Sequence, residues 1–107
     1  MNPITKFRAY LMYREAVKKA DKAHEERGSR YYVLPADDKL LILNRKDLQH
    51  LKRKHYTSRS VTTHDLLREC FYHTPHANGS GEISPTSLKA RKIVFYNWYN
   101  ELKKRKK

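Results

Sequence analysis

The chain has 107 residues, 38% hydrophobic and 11% aromatic, which suffices for one domain with a modest core and is unlike the composition of a disordered segment. It has no apolar run near the roughly 20 residues that span a bilayer and no signal-peptide block near its start, so we expect a cytoplasmic protein without membrane contact. The single cysteine, Cys70, excludes an internal disulfide, and the net charge of +13 indicates an acidic partner.

The first predicted element is a long helix that begins at Asn2-Pro3 and ends at Gly28. Asn is a good N-cap, Pro lacks only a donor that the first helical position does not need, and Gly favours a helix end. The apolar residues at helical spacing in this segment are Ile4, Phe7, Tyr10, Leu11, Val17 and Ala20. We expect this stripe to face the core, although it drifts around the helix. Such a helix is about 37 Å long, so its polar half, residues 18–27, is expected to project or to bend.

The next predicted elements are a β-hairpin and a short helix. Residues 31–34 and 39–43 are rich in β-prone side chains and flank PADD, a cluster that is typical of turns. Asn44 is the predicted N-cap of a helix over residues 45–56, whose leucines are expected to face inward.

Two more helices are predicted in the second half of the chain. Thr62 or Thr63 is the expected cap of a helix over residues 64–73, and the run TPHANGSG that follows has the composition of a loop. Ser84-Pro85 begins the last helix, in which aromatic and apolar side chains share one face.

The order of these elements, α-β-β-α-α-α, predicts the fold class. It is a small, mainly helical α+β single domain, with one β-hairpin packed on the helices. We place this globular domain at residues 1–102 and interpret residues 103–107, KKRKK, as a basic C-terminal tail.

The positive charge is concentrated in two segments. Residues 45–60 carry six Lys or Arg and one Asp, and residues 89–107 carry eight Lys or Arg and one Glu, so these segments hold +12 of the net +13. A basic helix face suits phosphate contacts, and an exposed aromatic side chain beside cations, such as Tyr96, can stack on bases. The sequence therefore predicts non-catalytic binding of nucleic acid, DNA or RNA. The predicted nucleic-acid-binding residues are Lys46, Lys52, Arg53, Lys54, Arg59, Lys89, Arg91, Lys92, Lys103, Lys104, Arg105, Lys106 and Lys107.

Two other classes of function remain open from the sequence. In a protein-interaction module, or in an accessory or structural component of a phage or mobile element, the same cations would meet an acidic protein. A small nuclease using histidines is the enzymatic alternative, but the chain lacks a cluster of acids for metal-assisted hydrolysis. We therefore predict that the protein is not an enzyme and has no catalytic residues.

The run ECFYHTPHANGSG is the strongest candidate for a metal-binding or reactive site. Cys70, His73 and His76 form C-x2-H-x2-H, and the first two would share one face of the predicted helix. Zinc needs about four ligands, or three and a water, and no second ligand pair follows. We therefore predict no metal and no cofactor, with Cys70 buried and both histidines at a loop edge. The glycine run lacks the lysine of a P-loop and no strand is predicted before it, so we interpret it as a turn.

Three runs of the sequence carry a resemblance to known proteins. They are FRAYLMYREAVKKADKAH, YYVLPADDKLLILNRKDLQHLKRKHY and ECFYHTP with the short glycine-containing loop after it. Together they resemble small basic proteins of unassigned function from mobile elements and prophages of gut bacteria, and the similarity extends over most of the chain. The resemblance implies a genomic setting and no particular activity.

Overall fold

Four helices and three strands follow one another in the computed structural model, which describes residues 2–105. They are α1 Pro3–Arg27, β1 Tyr32–Ala36, β2 Lys39–Leu43, α2 Arg45–Arg53, α3 Thr63–Glu69, β3 Tyr72–His73 and α4 Pro85–Arg105. The predicted small α+β domain, mainly helical with one β-hairpin, is confirmed. The order of elements differs in one respect, since the sequence does not predict β3.

Helix α1 begins and ends where its capping residues predict. The Asn2 side chain accepts a hydrogen bond from the backbone N–H of Thr5 (2.8 Å), and Pro3 is the first helical residue. Gly28 ends the helix with a φ of 81°, a left-handed conformation that is costly for a residue with a Cβ. At about 1.5 Å per residue, α1 is nearly as long as the largest dimension of the molecule, which is 39 Å.

The face of α1 that enters the core is not the predicted one. Its buried residues are Ala9, Tyr13, Ala16 and Ala20. Of the predicted stripe, Ala20 is buried, Val17 is half-buried and the other four residues are exposed. The alanines let the helix lie close to the sheet, and Tyr13 adds bulk and donates from its hydroxyl to the backbone oxygen of Phe71 (2.8 Å). Because alanine is only weakly hydrophobic, the sequence pattern favours the larger residues on the opposite side.

The exposed part of α1 is its apolar N-terminal half rather than its polar C-terminal half. Ile4 is 69% exposed and Phe7 is 59% exposed. Residues 18–27, which are expected from the sequence to project or to bend, do not project, because alanines of this half pack on the sheet. The Tyr72 hydroxyl also donates to the Asp21 carboxylate (2.6 Å), which ties this half of the helix to β3.

Three antiparallel strands form the sheet, in the order β2-β1-β3. The hairpin turn consists of Asp37-Asp38, because Ala36 pairs with Lys39 across it. Asp37 has a φ of 57°, a left-handed conformation that Asp tolerates better than most residues. Strand β1 is therefore longer than predicted and includes Pro35, which the sequence assigns to the turn.

Strand β3 replaces the end of the helix predicted over residues 64–73. Helix α3 ends at Glu69, and Cys70 is already extended, with a φ of −70° and a ψ of 152°. The backbone N–H of Phe71 then donates to the Val33 oxygen (2.8 Å), which aligns the chain beside β1. Pairing with a strand far away in the sequence decides this segment, and local helix propensity carries no information about such a partner.

The sheet separates two helical layers. Tyr31 and Val33 on one face pack with α1, whereas Tyr32 and Leu34 on the other face pack with α2 and α3. Helix α4 packs on α1 through the fully buried Phe95, which lies in a cluster of aromatic rings. The two basic helices, α2 and α4, therefore belong to different layers of the molecule.

Candidate nucleic-acid interface

Helix α2 carries the first basic segment on the outer side of its layer. The Asn44 side chain accepts from the Asp47 N–H (2.8 Å), and the Asp47 carboxylate accepts from the Asn44 N–H (3.1 Å). This capping box fixes the first turn, and the buried Leu48 anchors one helix face on the sheet. The opposite face is left to solvent, and Lys46 is exposed there, whereas Lys52, four residues after Leu48 and thus on the same side of the helix, is half-buried.

A tight turn ends α2 at Arg53, earlier than the predicted end. The Tyr56 N–H donates to the Leu51 oxygen (3.0 Å) and the His55 N–H donates to the Lys52 oxygen (3.1 Å). These two hydrogen bonds form a Schellman motif. His55 takes the left-handed position of that motif, with a φ of 61°, where glycine is the usual residue.

The Schellman motif presents Tyr56 to solvent within a stretch that we call the basic turn, defined as residues 52–59. Tyr56 is 76% exposed, more than any other large hydrophobic residue in the described part of the chain. Arg53, Lys54 and Arg59 are exposed beside it in the sequence, and no acidic residue occurs between positions 48 and 64. The basic turn thus combines an exposed aromatic ring with unbalanced positive charge.

A broad cleft of about 850 Å³ opens beside the start of α2. Arg27 lines it from the end of α1, and Arg45, Lys46 and His50 line it from α2. Asp47 also lines the cleft, but its carboxylate is bonded within the capping box. Lys46 therefore belongs to a concave basic surface to which Arg27, which the sequence does not single out, also contributes.

The cations at the start of α4 differ in how far they are available to a ligand. Arg91 is half-buried, and its guanidinium donates to the Cys70 backbone oxygen (2.6 Å) and to the Ser87 hydroxyl (2.9 Å). Lys92 lies over the Tyr13 ring, with its Nζ 5.8 Å from the ring centroid. Lys89 is exposed. Arg91 is thus engaged in holding α4 to the end of α3, although the sequence gives it the same role as its neighbours.

Helix α4 continues through the first three residues of the predicted tail. Lys103 is half-buried, with its Nζ 5.2 Å from the centroid of the Tyr99 ring, and Lys104 pairs with Glu101 (3.7 Å). Arg105 is exposed. Two further predicted contacts lie outside the described residues: Lys106 and Lys107. A separate tail therefore does not begin at Lys103.

The aromatic side chain that the sequence assigns to base stacking on α4 is not exposed. Tyr96 is half-buried, and its ring centroid lies 5.5 Å from that of Phe95. Phe95 and Leu102 are buried and Trp98 is half-buried, as expected for packing residues. Within the described part of the two basic segments, the exposed aromatic residue is instead Tyr56, to which the sequence analysis gives no stacking role.

The composition guarantees a surplus of cations without an acidic partner. Since 24 Lys and Arg face 11 Asp and Glu, one-to-one pairing of every acid would still leave 24 − 11 = 13 cations unmatched. Two acids that flank the basic turn, Asp47 and Asp65, are already bonded in capping boxes. The basic turn itself contains four Lys or Arg and no Asp or Glu, so its formal charge is +4.

Cys70, His73 and His76 do not share a helix face, because the chain is extended from Cys70 to His73. Cys70 is buried, and burial raises the pKa of its thiol although the Arg91 guanidinium, 3.3 Å from the sulfur, acts in the opposite direction. His73 is also buried, contrary to its predicted position at a loop edge, and burial lowers its pKa. His76 is exposed. Among residues 2–105, no three Cys, His, Asp or Glu side chains are grouped to hold a metal ion.

The glycine-rich loop before α4 is a turn that is tied to the start of β1. Arg30 donates through Nη2 to the Gly81 oxygen (2.6 Å). Gly79 and Gly81 have left-handed φ values of 83° and 74°. Strand β3 does precede this loop, contrary to the prediction, but the loop lacks the lysine with which a P-loop contacts phosphates.

Comparison of the chain with protein-family models, curated proteins and solved structures gave no match. Within residues 2–105, no helix combines the length and the apolarity needed to cross a membrane. Function is therefore inferred from the geometry and the charge of the chain itself.

Proposed function

We propose that this protein binds nucleic acid without catalysis, mainly through phosphate contacts from the basic turn and the adjoining face of α2. The residues proposed to make these contacts are Lys46, Lys52, Arg53, Lys54 and Arg59. Lys89, Lys92 and the end of α4 would provide a second basic surface, separated from the first because α2 and α4 pack in different layers. Its cations would strengthen binding to a long strand without adding sequence information.

The observation that carries this proposal is the exposed Tyr56 ring within an acid-free basic segment. Lysine and arginine neutralise phosphates and release condensed counterions, which supplies affinity for any sequence. A solvated cation face alone would serve solubility equally well. Tyr56 is 76% exposed as a residue, so its apolar ring has an unfavourable contact with water that a partner covering it would remove. Nucleic acid offers a partner for both the charge and the ring.

The proposal is tested by direct binding. The protein is purified natively, and its 260/280 nm absorbance ratio is read before and after a high-salt wash. Labelled DNA and RNA of unrelated sequences are then titrated at low and high salt. We expect binding that weakens steeply with salt and varies little with sequence, because phosphate contacts carry no base information. No binding to either polymer at low salt, or tight binding that ignores salt, would reject the proposal.

An exposed apolar strip on α1 favours a second candidate function, that of a protein-interaction module such as a mobile-element accessory or structural component. Ile4, Phe7 and Leu11 lie on one helix face and are 69%, 59% and 40% exposed. Arg8 and Arg14 flank the strip on the helix surface. A groove with an apolar floor and acidic rims would fit this strip, whereas a second copy of the chain would bring arginines against arginines.

The two candidates are separated by a pull-down from native lysate, with and without nuclease. The interaction module predicts a stoichiometric partner that survives digestion and is lost in Phe7→Ser. Ile93→Ser is the matched control, because Ile93 is similarly exposed (55%) but lies on α4. If every captured protein disappears on digestion, the interaction-module candidate is rejected.

A further inference from the structure

We propose that Tyr56 stacks on an unpaired base, which makes the basic turn a site for single-stranded rather than double-stranded nucleic acid. This inference rests on the proposed nucleic-acid function and adds the class of ligand. The inference begins from the exposure of the Tyr56 side chain in a turn whose backbone is fixed by hydrogen bonds before and after Tyr56. The N–H of Tyr56 is bonded to Leu51, and the following serines bond to each other.

The position of Tyr56 within the Schellman motif makes its exposure informative. The residue after the left-handed position commonly packs back on the last turn of the helix, where Leu51 stands here. Leu51 is half-buried, yet Tyr56 leaves 76% of its surface in water. Tyr56 is therefore mostly uncovered at a position where such motifs usually bury an apolar side chain against the helix end.

The turn is also built with a residue that does not favour it. His55 occupies the left-handed position at a φ of 61°, where glycine would avoid the steric cost of a Cβ. A histidine adds a further aromatic and hydrogen-bonding side chain next to Tyr56. The left-handed histidine and the exposed tyrosine do not stabilise the fold, but both are expected if this turn contacts a ligand.

The charges around the ring fit the phosphates on either side of a stacked base. Arg53 and Arg59 are each three residues from Tyr56, so their Cα atoms lie within about 11 Å of its Cα. Lys54 lies between them, and all three cations are exposed. Long basic side chains at these positions reach the backbone of a strand whose base lies on the ring, in the arrangement that proteins binding single strands use.

Duplex DNA or RNA does not offer the same contact. In a duplex both faces of each interior base are covered by its neighbours, so a tyrosine ring stacks only after a step is opened. Tyr56 stands after the end of α2 rather than on the helix, and so is not placed for reading base edges in a major groove. In a single strand a base can unstack from its neighbour and expose one face, and an aromatic ring can stack on that face whichever base it is.

The test compares three ligands with three variants at one salt concentration. The ligands are a single-stranded oligonucleotide, the same sequence as a duplex, and a strand of equal length with abasic residues. The variants are Tyr56→Ala, Tyr56→Phe and, as a matched control, Tyr10→Ala, whose tyrosine is also exposed (43%) but lies on α1. Circular dichroism and thermal unfolding check that each variant folds.

We expect Tyr56→Ala to weaken binding of the intact single strand by about 5- to 150-fold, the usual effect of losing one stacked base. Tyr56→Phe should retain most of the affinity, because the ring remains. Binding of the duplex and of the abasic strand should change by less than about twofold in every variant, and Tyr10→Ala should behave as wild type.

The outcomes separate this inference from the function on which it rests. If Tyr56→Ala binds the intact single strand as wild type does, or weakens all three ligands equally, stacking is refuted while phosphate binding stands. If the wild type binds none of the three ligands, both the inference and the proposed function fail. Photo-crosslinking of a strand with halogenated pyrimidines gives a second readout, because trypsin releases Tyr56 in the short peptide HYTSR. A cross-link elsewhere and not in this peptide would also refute stacking.

Discussion

Neutralising three exposed cations of the basic turn should make nucleic-acid binding much less sensitive to salt. The substitutions are Arg53→Gln, Lys54→Gln and Arg59→Gln, combined in one variant. All three side chains are exposed, so the fold should tolerate their replacement, as it does most surface changes. Lys52 is left in place, because its side chain is half-buried beside the helix end and its replacement could disturb packing.

The magnitude follows from counterion release. Each phosphate contact contributes about −0.7 to the slope of log K against log salt for a single strand. If all three cations contact phosphates, the triple variant loses about 3 × 0.7, or about 2.1, from the slope. Between 50 and 200 mM salt, the affinity of the wild type should then fall about 18-fold more than that of the variant. This ratio is about 2.6-fold smaller for each of the three cations that does not contact a phosphate.

The assay is a fluorescence-anisotropy titration at four salt concentrations, with a matched variant that changes the net charge equally. Lys6→Gln, Arg8→Gln and Arg14→Gln also remove three exposed cations, but from α1, outside the predicted interface. This control should change the slope by less than one phosphate's share, about 0.7. Equal slope changes in the two triple variants would show that overall charge, and not the basic turn, determines binding, and would refute the placement of the site.

Three further predictions concern the fold around the candidate site. Gly81→Ala should lower the free energy of unfolding by about 1 kcal/mol more than Gly79→Ala. Both glycines have a left-handed φ, but only at Gly81 would an added Cβ overlap the Arg30 side chain and break its hydrogen bond to the Gly81 oxygen. Chemical denaturation measures the difference, and equal losses in the two variants would contradict the prediction. Burial lowers the pKa of His73, so its contribution to stability is complete above about pH 6.5 and is lost as the pH falls below that value. Between pH 7.5 and pH 5, the free energy of unfolding should therefore fall less in His73→Gln than in the wild type. An equal fall in the two proteins would refute this prediction. Cys70 is 2% exposed, and burial raises the pKa of its thiol. Iodoacetamide at pH 8 should therefore leave Cys70 unmodified in the native protein and alkylate it in guanidinium, which mass spectrometry detects. Fast alkylation of the native protein would contradict the burial of Cys70.

The features that the sequence predicts correctly are those that depend on neighbouring residues. Asn2 and Asn44 cap their helices, and Thr62, one of the two threonines considered, caps α3, because a cap needs only a side-chain oxygen and an N–H two or three residues away. Gly28 ends α1 for an equally local reason. The hairpin around Asp37-Asp38 is confirmed because the turn and both strands lie within one short stretch.

The features that the sequence misses depend on partners far away along the chain. Strand β3 exists because β1 offers it hydrogen bonds, and Tyr72-His73 alone gives no signal for a strand. The buried face of α1 is set by the close approach of the sheet to Ala16 and Ala20, which favours small residues over the larger Ile4 and its neighbours. A search for apolar residues at helical spacing favours large side chains over alanine, so it predicts that the opposite face of α1, with Ile4 and its neighbours, is buried.

The same limit applies to the candidate site. From the sequence alone, the predicted Lys and Arg residues are equal candidates for phosphate contact. The structure distinguishes them, because the Arg91 guanidinium holds the Cys70 backbone and Lys103 lies on the Tyr99 ring. Exposure likewise distinguishes Tyr56 from Tyr96.

This division of roles changes how the basic C-terminus should be tested. Removing residues 103–107 would delete five cations, but it would also remove the Lys103–Tyr99 contact and shorten α4 next to the buried Leu102. A loss of affinity after that truncation would mix lost phosphate contacts with a weakened aromatic core. In the basic turn the cations project from a segment fixed by backbone hydrogen bonds, so their charge is removable with little effect on packing. A salt-dependence change there reports binding directly, which is why the basic turn, with fewer cations than the C-terminus, is the more decisive place to test nucleic-acid binding.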